Sequence, residues 1–246
     1  MDPFFQKEFL RDFQRRSSGP VLALFGKHPA WDDHMDDFGL STPSLRTCKK
    51  LLYLEGIAAN AARQQSTNAD VSPYRHLLLW FRGKEAILLR VVESEDGRGR
   101  GYFPLVAAVH FEAGSMSSTL GLLVPLLTNL VTRIRELTGR REVADQFDHA
   151  RSRLEIDFRN LSPNEPADPL TEAEAIRNAF GTSGAFVRLR LPVTRYDCAQ
   201  TLAALATACP TANSPALVSQ GDSDPFSTLC QGLPERTDFW FMREAQ

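Results

Sequence analysis

A chain of 246 residues with 43% hydrophobic and 24% charged side chains has material for a sizeable core, in one large domain or two small ones. Its 28 basic and 30 acidic side chains leave a formal net charge of -2 with no long run of like charge. This excludes the basic footprint of a general nucleic-acid binder. No segment approaches the ~18 consecutive apolar residues that a membrane-spanning helix needs, so no membrane insertion is expected.

Residues 4–15 place Phe4, Phe5, Phe9, Leu10 and Phe13 at roughly helical spacing. They predict an amphipathic helix, within residues 1–18, that packs on the body or docks on a partner. The stretch has acidic residues and no uninterrupted apolar core, so it does not read as a signal peptide. Five apolar residues, Val21 to Phe25, then predict a buried central strand, ended by Gly26 and Pro29.

The strand feeds a dense polar loop, His28 to Asp37, with two histidines, four aspartates and Trp31. Its residue types allow three readings. Histidine and carboxylate suit a metal, as in a metal-dependent hydrolase using His28, Asp33 and His34. However, the spacing misses the HxDH pattern, and His76, His110 and His149 are isolated. Aspartates also accept backbone hydrogen bonds in tight loops or precede helices, a purely structural role. The third reading is a partner-binding patch, with Trp31 as exposed anchor and His34, Asp36 and Asp37 giving specificity.

Ser41-Thr42-Pro43 is a helix start, and the helix is expected to reach about residue 64. A polar linker follows to Pro73. Strands are predicted over 75–81, 86–92 and 102–111, joined by a Gly83-Lys84 turn and a glycine-arginine loop, as an antiparallel meander. The loop Asp96-Gly97-Arg98-Gly99-Arg100-Gly101 has a phosphate-binding look, yet lacks GxGxxG spacing and leads into a strand. Helices are predicted over 119–137, with Pro125 as a kink or the true start, and over 142–157 and 170–180. A strand over 185–193, a helix over 197–208, a short strand over 216–218 and an apolar docking segment after Gly232 complete the chain.

This order predicts an α+β fold: a mixed, largely antiparallel sheet flanked by helices, or an α/β/α sandwich. The four cysteines lack CxxC spacing, which points to reduced buried thiols. The serines lack a nucleophile-elbow context, so no catalytic residue and no cofactor are expected.

Gly26-Lys27-His28-Pro29-Ala30-Trp31-Asp32-Asp33-His34 resembles the "GKLPSRGDF" signature of the TagF/ImpM family, associated with bacterial type VI secretion. Gly26, Lys27, Pro29 and Asp33 fall in register, while Asp32 and His34 replace its glycine and phenylalanine. Gly99 to Leu105 is similar to that family's "GR-x-FPL" motif with one residue extra. Gly232-Leu233-Pro234 followed by Phe239 is similar to its "GLP…F" ending. The resemblance spans most of residues 1–246 and implies a single α/β/α domain without catalysis. It also implies a cytoplasmic regulator of secretion assembly that binds a forkhead-associated scaffold protein. It adds Lys27, Asp33 and Arg100 to Trp31, His34, Asp36 and Asp37 as candidate binding residues. Two motifs that each carry one charge are expected to meet, with Arg100 close to Asp33. The other functional expectation is a modulator of a small GTPase-like switch protein, by fold analogy alone.

Overall fold

The computed structural model describes residues 19–67, 73–82, 84–162, 187–192, 198–209, 216–222 and 226–231, with single positions 174, 178 and 242. The expected N-terminal helix, most of the helix over 170–180 and most of the segment after Gly232 lie outside these residues. Met242 is described and buried, and its carbonyl accepts a hydrogen bond from His76 Nε2 at 3.0 Å.

Among the described residues, seven strands form one sheet: β1 (Val21–Gly26), β2 (Arg75–Arg82), β3 (Glu85–Val92), β4 (Leu105–Glu112), β5 (Val187–Pro192), β6 (Ala216–Gly221) and β7 (Phe226–Gln231). Their spatial order is β1-β4-β3-β2-β6-β7-β5, and every described pairing is antiparallel. The predicted meander is present as β2, β3 and β4. Strand β7 was not legible, because Ser227, Thr228 and Gln231 break any apolar alternation.

Strand β1 is not central, as its apolar run predicts. It lies at the sheet edge, bonded to β4 alone among the strands. Its burial has another source. The polar loop turns back along the free edge, where Leu24 and Phe38 exchange both backbone bonds at 3.0 and 2.9 Å. Met35 N–H donates to the Gly26 carbonyl at 2.9 Å. The loop thus shields an edge that would otherwise invite another chain.

Period-two alternation sorts the strand residues onto two faces. Leu22, Leu24, Leu77, Leu79, Leu88 and Val109 face one layer of helices: α3 (Met116–Glu136), α4 (Arg140–Arg159) and α5 (Cys198–Ala208). Ala23, Phe25, Leu78, Trp80, Leu89 and Val106 face the other: α1 (Pro43–Cys48) and a π-helical segment (Lys49–Ile57), which continues in sequence into α2 (Ala58–Thr67). The result is an antiparallel α/β/α sandwich of the α+β class. Thr42 caps α1, its hydroxyl accepting from Leu45 N–H at 3.2 Å. The single helix expected here is therefore interrupted by a π segment, which propensity does not foretell. Helix α3 is long and apolar enough by composition to cross a membrane, yet Leu120, Leu123, Leu127 and Ile134 pack on the sheet.

Leu24 is fully buried against this core. Leu24→Asp is expected to destabilise the fold by roughly 3–5 kcal/mol, since it inserts an uncompensated charge. Chemical denaturation followed by circular dichroism checks this, and a midpoint unchanged from wild type would contradict the placement.

Candidate functional site

The site forms where β1 ends and β4 begins. Gly26 has φ +122° there, and a Cβ on it would lie 2.2 Å from the Pro104 carbonyl oxygen. Only glycine lets the two strand ends approach so closely. Lys27 N–H then donates to that same carbonyl at 3.2 Å. The first motif is thereby fastened to the second through the backbone.

Beneath the surface, Lys27 is 4% and Asp96 1% exposed. The Lys27 Nζ and Asp96 Oδ2 atoms are 2.5 Å apart. Asp96 also accepts from the backbone N–H groups of Arg98 and Arg100, each at 3.0 Å, and from Arg100 Nε at 2.8 Å. Burial acts to raise its carboxyl pKa, but the Lys27, Arg100 and Arg98 hydrogen bonds outweigh it and hold the group well below its ordinary range. Asp96 fills the nest that a phosphate would need. The phosphate-binding look of the glycine-arginine loop is corrected on that ground: its N–H groups and its arginine already hold an internal anion.

Arg100 continues outward. Its Nη2 donates to the Asp32 carbonyl at 2.7 Å and lies 3.4 Å from Asp33 Oδ1. The expected closeness of Arg100 and Asp33 is what the structure has. Asp33 Oδ1 also lies 3.2 Å from His34 Nδ1 and 3.7 Å from Lys27 Nζ. What burial Asp33 has works to raise its pKa, while His34, Arg100 and Lys27 prevail and lower it. Asp33, His34 and Arg100 remain open to solvent, with side chains 69%, 42% and 44% exposed.

Trp31 is not an exposed anchor. It is buried, with its ring edge-to-face with His28 and Phe38 at 5.6 and 6.5 Å. The Arg140 guanidinium sits 5.4 Å from the ring centroid, and Arg140 Nε donates to the Ala30 carbonyl at 2.9 Å. Asp36 accepts from the indole N–H at 3.2 Å, so it supports the plug. Asp37 pairs with Lys49 of the π segment at 2.6 Å. Neither aspartate precedes a helix directly. Lys27 is likewise interior, and its place is in the buried pair. The physical reason is common to all four: the loop needs an apolar centre and internal hydrogen bonds to cover the β1 edge.

His28 is fully buried, with both ring nitrogens engaged. Nε2 donates to the Ile134 carbonyl in the last turn of α3 at 2.8 Å, and Nδ1 accepts from Ala30 N–H at 3.1 Å. That pattern is a neutral ring, and burial lowers its pKa despite the opposing Ile134 bond. A metal ligand needs a free lone pair, so the hydrolase reading through His28, Asp33 and His34 is corrected. Among the described residues, no group of three or more His, Cys, Asp or Glu side chains is placed to hold a metal ion. Cys48, Cys209 and Cys230 are buried free thiols. Burial raises the Cys48 and Cys209 thiols, that of Cys209 to about 12, which leaves both as inert thiols at neutral pH.

Sequence reasoning missed Asp96 as the organising residue and Tyr53 as its neighbour layer. Asp96-Gly97 is a turn signal whose carboxylate caps the N–H two residues on, so part of that role was legible. Tyr53 was not. It reaches in from the π segment, donates to the Pro104 carbonyl at 3.3 Å, and with Phe103 carries the His34 ring at 5.7 and 5.1 Å. Tyr102, next in sequence to Phe103, is 41% exposed.

No family model matches the chain, and no curated protein matches it either. Among solved structures, it is similar to the crystal structure of PA0076 from Pseudomonas aeruginosa PAO1. The TM-score is 0.53 at 18% identity, covering 92% of this chain and 96% of that one. At this identity the likeness establishes a shared fold.

Asp96→Asn leaves Lys27 buried beside a neutral partner, and is expected to cost roughly 3 kcal/mol of stability. The pH dependence has a definite sign. The folded pKa of Asp96 lies below its ordinary value of 3.8, so its contribution is present above that pH and falls away as the solution is acidified through and below it. Denaturation midpoints measured from pH 7 down to about 3 are expected to fall less steeply in Asp96→Asn than in wild type. Parallel profiles would show that Asp96 does not carry this linkage.

Proposed function

We propose that this chain is a non-enzymatic regulatory adaptor of the TagF/ImpM kind, acting in the bacterial cytoplasm on the assembly of a type VI secretion apparatus. Its partner is a protein, in this reading a forkhead-associated scaffold, and the contact surface is the exposed layer over the Lys27–Asp96 pair. One observation carries the reading. Arg100, from the second motif, touches both the Asp32 carbonyl and Asp33 of the first. Two motifs separated by about seventy residues of sequence thus form one surface rather than two loops.

The chemistry of that surface supports recognition over turnover. His28 is engaged internally through both ring nitrogens, and Cys48, Cys209 and Cys230 are buried. What faces solvent is an arginine, a carboxylate, a histidine on an aromatic bed, and Tyr102. Arginine and tyrosine are enriched at the centres of protein interfaces, because each gives large contact area with a directional polar end. The underlying hydrogen bonds hold the arginine in place before binding, which lowers the ordering cost of association. The fold shared with PA0076 supports the architecture that this reading needs.

The test uses His34→Ala and Tyr102→Ala, both exposed and away from the buried pair. Each variant is expected to keep the wild-type circular dichroism spectrum. Each is expected to weaken binding to the purified forkhead-associated scaffold by roughly tenfold or more, as interface hot spots do. Wild-type affinity in both variants would refute this surface.

A further inference from the structure

Helices α3 and α4 form an antiparallel pair, and a groove of about 220 Å³ runs between them on the side away from the sheet. Its α3 wall is a single stripe at four-residue spacing, Gly121, Pro125, Asn129 and Arg133, all exposed. Its α4 wall carries His149, Ala150 and Arg153. The groove runs from Gly121 to Arg133 of α3, thirteen residues and about 18 Å at the helical rise. Small-molecule sites are usually deeper, at about 300–1,000 Å³. A shallow trough of this length matches about three turns of another helix.

The chemistry of the walls narrows the partner. Leu122, Leu126 and Leu130 give the floor an apolar character. Pro125 has no N–H to offer, so the Gly121 carbonyl one turn earlier lacks its usual helical donor. The charged groups are Arg133, Arg153 and Asp157. Asp157 Oδ2 is bonded to Arg153 Nε at 3.2 Å, which neutralises the one carboxylate. Arg133 is left to set the sign at the far end. We propose that this groove is a docking site for an acidic amphipathic helix of a partner protein, distinct from the surface around Arg100. Its leucine-type side chains lie along the floor, and its carboxylates meet Arg133.

Gly121 provides a clean test, because a Cβ built there meets nothing within 4 Å. Gly121→Phe attaches its ring to this wall through a Cβ that meets nothing, and replacing a mid-helix glycine does not weaken the helix. The probe is a stapled helical peptide of about three turns, with leucines on one face and glutamates on its flanks. A charge-inverted version carries lysines in their place. Fluorescence anisotropy on the full chain is expected to give saturable binding of the acidic peptide, at least tenfold tighter than the lysine peptide, and weaker at higher salt. Arg133→Glu, and separately Gly121→Phe, are expected to weaken it at least tenfold, while Tyr102→Ala leaves it unchanged. Equal affinity for the two peptides overturns the proposal, as does full binding by Gly121→Phe. A wild-type dimer that Gly121→Phe converts to monomer would also overturn it, by assigning the groove to a second copy of the chain.

Discussion

The buried pair of Lys27 and Asp96 is the interaction on which the rest of this end of the molecule depends. A lysine and an aspartate removed from water are costly unless they meet each other and their remaining hydrogen-bonding capacity is used. Here the carboxylate accepts from one ammonium, two backbone N–H groups and one guanidinium. That satisfaction makes burial tolerable. It also fixes the glycine-arginine loop in one conformation, because any other leaves the charge unpaired. Arg100 inherits its position from the same carboxylate and passes it on to Asp32 and Asp33.

The Pro104 carbonyl plays the complementary backbone role. It receives Lys27 N–H from one side and the Tyr53 hydroxyl from the other, and its approach requires Gly26. Three segments far apart in sequence are therefore joined at one oxygen: the end of β1, the start of β4 and the π segment. The π segment places Tyr53 under His34, with Phe25 edge-to-face at 5.6 Å. A π turn carries one extra residue per hydrogen-bonded loop, which re-aims a side chain relative to an α-helix. Its position beside the surface accords with the tendency of such turns to occur where a side chain must be placed.

The polar loop works as a structural cover over the β1 edge. Trp31, His28 and Met35 point inward and close the β1 edge, while Asp36 and Asp37 secure the cover through the indole and Lys49. Only Asp33 and His34 of the proposed binding residues in this loop are presented outward without a purely structural duty. Of the three readings open from its residue types, the structural one holds for Trp31, His28, Asp36 and Asp37, and Asp33 and His34 are the residues on which the proposed binding role rests.

The sequence alone determined the fold class, most of the strands and the two long helices α3 and α4. Apolar alternation and helical spacing are local properties, and the flanking turn chemistry marks their ends. Resemblance between short motifs also sufficed to bring Arg100 to Asp33. The direction of each side chain in the loop was decided only by the tertiary structure. A tryptophan among aspartates is equally compatible with a plug and with an anchor, and only the unpaired edge of β1 selects the plug. The edge position of β1 was itself hidden, since a five-residue apolar run records burial on both faces and not the number of neighbouring strands. The role of Asp96 was hidden for the same reason: its partner Lys27 lies 69 residues away. Pairings at that separation are set by how the strands assemble, and no local pattern encodes them.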